Sequence, residues 1–76
     1  MIKLLEYIFA KIVDYPDELH IEEQKVEDGS FQYNISARQE DIGKIIGREG
    51  KIISAVRNVA KVLAIKENTH IRIEII

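Results

Sequence analysis

"IIGREGKII", Ile45 to Ile53, places two of the chain's four glycines three positions apart, with apolar residues on both sides. A pair of glycines so placed interrupts a helical pattern. It also exposes backbone where an anion can approach, with Arg48 and Lys51 adding positive charge. Gly47 can take a left-handed conformation that ends one helix, and Gly50 leaves the first N–H groups of the next one uncovered. A nucleoside-triphosphate loop of the P-loop kind is excluded by spacing, since its glycines stand further apart and its lysine is followed by a hydroxyl residue, whereas Lys51 is followed by Ile52. A dinucleotide fingerprint would need a third glycine and an entering strand. Glu49 lies on a solvated loop, where its expected part is to satisfy the positive end of the following helix. Ser54 has no histidine nearby in sequence, so no nucleophile is assembled and no enzyme is expected.

Working outward, "SARQEDIGKII" reads as a short helix before the loop, with Ser36 and Gln39 at capping-box spacing. A long helix follows from about Lys51 to Lys66. After Asn68 the tail alternates Ile71, Ile73 and Ile75 inward with His70, Arg72 and Glu74 outward, the period of a strand. Upstream, Phe31, Tyr33 and Ile35 alternate against Gln32, Asn34 and Ser36. Asp28-Gly29 joins that strand to "LHIEEQKVE", whose charged centre suggests an edge strand or a bulge before Val26. From Ile2 to Val13 apolar residues recur at three- and four-residue steps, predicting an amphipathic helix stopped by Pro16. The order is helix, strand, strand, helix, helix, strand. A right-handed crossover through two helices returns the last strand parallel to its predecessor, predicting an α+β fold with a three-stranded mixed sheet and all helices on one face.

The chain has 76 residues, 46% of them apolar and 32% charged, a globular balance with a small core. It has no cysteine, and His20 and His70 have no companion at ligand spacing, so neither a metal nor another cofactor is expected. The opening apolar segment is broken by Lys3, Glu6 and Lys11, which argues against a secretory signal or membrane insertion and for a cytoplasmic protein. Net charge is −2, but residues 38–66 carry seven basic side chains against three acidic ones, about +4, while residues 1–37 carry three against eight. An anionic partner is therefore met near the glycine loop. The long helix holds more apolar residues than one stripe against a three-stranded sheet uses, and part of that surplus is expected to face a second subunit.

Single-stranded nucleic acid is the anion that suits such a loop. "IIGREGKII" resembles the I-I-G-x-x-G-x-x-I signature of the KH domain, with Ile45, Ile46, Gly47, Gly50 and Ile53 in its fixed places and Arg48 and Glu49 as the variable pair. The order of elements is that of the type II, bacterial form of the fold. Together with the opening "LLEYIFAKIVDYPDEL", nearly the whole chain is similar to the KhpA family of small single-KH-domain proteins. The resemblance implies one domain over residues 1–76, with 1–28 as the N-terminal helix and first-strand extension and 30–76 as the core containing the loop. It implies binding of single-stranded RNA with little sequence preference, a homodimer, a larger KhpB-like KH partner, and a part in RNA chaperoning and in cell division and elongation. Residue by residue, it points to Gly47, Arg48, Glu49, Gly50 and Lys51 with Lys44, and to Ile42, Ile45 and Ile46 shaping or supporting a base groove beside Phe31 to Ile35. Which of these apolar residues touch RNA and which are core is left open at this point. A second reading is a KH-fold module acting mainly through dimerisation or the larger partner. Glu49 and the acidic N-terminal half depart from a strongly basic RNA binder and lower the affinity expected.

Overall fold

A computed structural model describes residues 1–27 and 29–76. Three helices, α1 (Ile2–Ala10), α2 (Gln39–Ile46) and α3 (Lys51–Lys66), pack on a sheet of β1 (His20–Glu27), β2 (Ser30–Ser36) and β3 (His70–Ile75). The sheet order is β1-β2-β3. β1 runs antiparallel to β2, and β3 returns parallel to it with Phe31 opposite Ile71, Tyr33 opposite Ile73 and Ile35 opposite Ile75. This is the mixed sheet expected from the crossover.

The inward side chains of β2 and β3 meet the apolar stripes of the helices. Leu5 and Phe9 of α1, Ile45 of α2, Ile53, Val56 and Ala60 of α3, and Tyr33, Ile35 and Ile73 form one buried cluster. The opposite sheet face is polar, as strand alternation requires, with Gln32 donating to Asn34 at 2.8 Å. β1 is an edge strand, and its register slips between Lys25 and Glu27, where a bulge was expected. Of the expected turn pair, Asp28 lies outside the described residues, and Gly29 has φ +76°.

Two boundaries differ from the sequence reading. α1 ends at Ala10, well short of Pro16, and Val13 stays buried beyond it as the N–H groups of Ile12 and Val13 both turn back to the Phe9 carbonyl. The reason is tertiary. The carboxylate of Asp41, itself fully buried, accepts the N–H groups of Asp14 at 3.0 Å and Tyr15 at 2.9 Å, fixing the chain's exit from α1. The capping box is absent: Ser36 is drawn into the sheet opposite His20, and the N-cap of α2 is Arg38, without a side-chain cap bond. α3 has the predicted bounds. It closes on Asn68 in the left-handed region (φ 55°), with Asn68 N–H donating to the Ile65 carbonyl and Thr69 N–H to that of Ala64. That pair of bonds is a Schellman motif with asparagine in the usual glycine position.

Candidate nucleic-acid interface

The loop between α2 and α3 is a tight turn of unusual backbone. Gly47 has φ 76° and ψ 172°, a region that only glycine occupies without strain. A Cβ added there would lie 2.6 Å from Cγ1 of Ile52, so the first glycine is demanded by packing as well as by dihedral. Glu49 (φ 56°, ψ 27°) and Gly50 (φ 72°, ψ 16°) both take the left-handed conformation. The N–H of Gly50 donates to the Gly47 carbonyl at 3.1 Å, and that of Lys51 to the Arg48 carbonyl, closing the turn. A Cβ at Gly50 would meet nothing within 4 Å, so this glycine has open space over it. α3 starts at Lys51 without a side-chain cap. Glu49 stands just before the first turn of α3, where its charge faces the positive end of that helix, and among the described residues its carboxylate makes no side-chain cap bond there.

Charge divides the loop from the rest of α2. Arg48 and Lys51 are exposed, and among the described residues neither is paired with a carboxylate. Lys44 is paired: its ammonium contacts the Asp14 carboxylate, whose hydrogen bond raises the lysine pKa. Lys44 also lies on a different flank of α2 from Ile42 and Ile46, because two residues turn a helix by about 200°. Arg38 is committed as well, to Glu40 at 2.6 Å and Glu18 at 3.0 Å, with its guanidinium 4.1 Å from the Tyr15 ring centroid.

The apolar residues separate by depth. Ile42 is half-buried, Ile46 is 36% exposed, and Ile45 is fully buried, so Ile45 supports the site from the core and presents no surface. Of Phe31, Tyr33 and Ile35, left open between groove and core, Phe31 is half-buried and the other two lie in the core. β2 is the central strand, covered on both sides, and Tyr33 and Ile35 are core, the Tyr33 hydroxyl donating to Glu23 at 2.7 Å. Gly43 has no heavy atom within 4 Å of its would-be Cβ, so no close approach to another element depends on it.

A cavity lies at the edge of the sheet. Arg57 and Lys61 of α3 and Ile71 to Glu74 of β3 line a cavity of about 290 Å³ along the outer edge of the sheet. Gly50, Ser54, Arg57 and Lys61 recur at steps of three and four, so one stripe of α3 runs from the open glycine into the groove, over roughly 16 Å. The Arg57 guanidinium donates to the Ile73 carbonyl through Nε at 3.2 Å and Nη2 at 2.8 Å. The helical period was legible in the sequence. That β3 would be an edge strand, and so leave a groove beside α3, was not read from it. Among the described residues no group of His, Asp and Glu is placed to hold a metal ion, and no helix is long and apolar enough to cross a membrane.

A helix and strand preceding a strand-helix-helix-strand core, with a G-x-x-G turn between the two core helices, define a type II KH domain. A family model described as "KhpA/KhpB, KH domain" matches residues 2–75, and the chain belongs to that family. The family is defined by a KH domain rather than a catalytic centre, which agrees with reading the chain as a non-enzyme. The chain is 41% identical to the RNA-binding protein KhpA of Clostridium perfringens and 42% identical to that of Clostridium acetobutylicum, each over the full length of both chains. It is 36% identical to the KhpA of Chlamydia trachomatis over 99% of this chain and 95% of the relative. No solved structure matches it.

Proposed function

We propose that this protein binds single-stranded RNA by its Gly47–Gly50 loop with low sequence preference, in the cytoplasm, as a small RNA chaperone or post-transcriptional regulator tied to cell division and elongation. The observation that carries the reading is the open surface of Gly50 between two cations unpaired among the described residues, continuous along α3 with the cationic groove at β3. Phosphate oxygens would be held by Arg48 and Lys51 and by loop N–H groups other than those of Gly50 and Lys51, which close the turn, while bases descend toward Arg57 and Lys61. The relatives' name supports the same ligand. A homodimer fits the outward face of α3, where Val59, Val62 and Ile65 are more than half exposed, and two loops on one RNA would raise avidity.

The test is anisotropy titration of a short fluorescent RNA with wild type and with the double change Arg48→Asp, Glu49→Asp, which keeps both glycines and sets two acids where a phosphate would sit. Aspartate tolerates the left-handed region at position 49 better than most residues do. Affinity is expected to fall at least tenfold while circular dichroism and oligomeric state are unchanged. Equal affinity would favour the second reading, a KH-fold module acting through its own dimer or a KhpB-like partner, for which the exposed α3 face is the specific observation.

A further inference from the structure

Within β3, His70 N–H donates to the Gly29 carbonyl at 2.6 Å, and beyond the strand Ile76 N–H donates to the Ile35 carbonyl at 2.9 Å. In a parallel ladder the N–H and C=O of one residue point to the same side, and successive residues alternate. Even-numbered residues therefore face β2, and Ile71, Ile73 and Ile75 turn their backbone groups to the free edge. Ile73 is the middle one of the three, and its carbonyl accepts both arms of the Arg57 guanidinium. Arg57 is itself half-buried. The fork engages the carbonyl with two charge-assisted donors, each about twice as strong as a neutral one. A nucleobase amino group offers a single neutral donor. In competition for that carbonyl, the arginine wins.

We infer that Arg57 is a specificity-determining residue: it masks the Ile73 carbonyl, the middle edge acceptor of β3 and the one beside Arg57 in the α3–β3 groove, and so keeps that position from telling amino-bearing bases from the others. The inference rests on the RNA reading given under Proposed function. Cytosine and uracil separate the effect cleanly, because they share size and shape but carry an N4 amino donor and an O4 acceptor, respectively. Phosphate contacts carry no sequence information, so any charge lost with the arginine weakens both ligands alike and cancels in their ratio.

The experiment compares fluorescein-labelled rC6 and rU6 binding to wild type, Arg57→Met, which keeps side-chain length and removes every donor, and Arg57→Ala, with circular dichroism on each. Wild type is expected to bind the two oligomers within about twofold of each other. The unmasked variants should prefer rC6 by about fivefold, the worth of one ordinary hydrogen bond. A preference equal to that of wild type in whichever variants fold and bind would overturn the inference and leave the RNA reading standing. Absence of binding by wild type to either oligomer would overturn both. The Arg48→Asp, Glu49→Asp protein separates the two further, since loop loss should weaken rC6 and rU6 equally.

Discussion

The two ends of α2 use the same residue types for opposite purposes. From the N-cap to Lys44 in the last turn, Arg38, Asp41 and Lys44 are all engaged: Arg38 with Glu18 and Glu40, Asp41 with two backbone N–H groups, Lys44 with Asp14. At its far end the chain turns through Gly47 to Gly50, and Arg48 and Lys51 stand exposed, unpaired among the described residues. One end is a clamp that fastens the α1–β1 connection to the helix. The other is left open by the same fold. The contrast teaches that a positive charge marks a ligand site only where the protein has not already used it. Of the seven basic residues between 38 and 66, two are bound to acids near the clamp, and four (Arg48, Lys51, Arg57 and Lys61) lie on the loop and on the α3 stripe behind it.

The largest expected effect breaks the clamp. Asp41→Ala leaves the N–H groups of Asp14 and Tyr15 without their acceptor at a fully buried position. Bonds to a charged acceptor contribute about 1.5–3 kcal/mol each, and two share this carboxylate, so a loss of about 3 kcal/mol is expected. For a chain of this size that is a large part of total stability. Urea unfolding measures it. RNA affinity, compared under conditions where the variant remains folded, should match wild type. A loss below about 1 kcal/mol would mean that water replaces the carboxylate and that the clamp is incidental to the fold.

At the open end the largest effect comes from Gly47→Ala. The new methyl would fall within 3 Å of three Ile52 atoms, on a backbone that alanine adopts only under strain. A cost of about 2 kcal/mol is expected. Adding Ile52→Ala should recover the part of the clash made by Cγ1 and Cδ1 and leave the Cβ contact and the dihedral part, so the two substitutions couple favourably in a double-mutant cycle. Strict additivity would show that the Ile52 side chain beyond Cβ is not what demands the glycine. Gly50 offers the control, since its Cβ would enter open space.

What the sequence made legible follows from periodicity. Helical and strand spacing gave the element order, the mixed sheet and the limits of α3, because those depend on residues near one another in the chain. The G-x-x-G pair located the loop for the same reason. The misses are all long-range. Asp41 was counted only as one acid among basics, since nothing local shows that a side chain on α2 will cap amides 26 and 27 positions earlier. Ser36 looked like a helix cap until pairing with His20 took it into the sheet. Lys44 stood four residues from Arg48 and was grouped with it, although its partner Asp14 lies thirty positions away. Phe31, Tyr33 and Ile35 were left open between groove and core because an alternating strand does not announce whether it is central or at an edge.

The sharpest form of the comparison is a matched pair of lysines. Lys44→Ala removes a charge already neutralised by Asp14, so RNA affinity and its salt dependence should stay close to those of wild type. The same deletion leaves the exposed Asp14 carboxylate without its cation, a charge change that salt screens. Lys51→Ala removes a charge unpaired among the described residues, beside the open glycine, and should weaken binding several-fold. If it neutralises one phosphate, the slope of log affinity against log salt should become shallower by about 0.7, the value for a single strand. The measurement is anisotropy titration of one RNA across a salt series for the two variants and wild type. Equal losses would mean that only the total charge of the segment matters and that the loop has no privileged contact. A loss confined to Lys51→Ala would show that pairing within the fold, rather than position in the sequence, decides which lysine meets the phosphate.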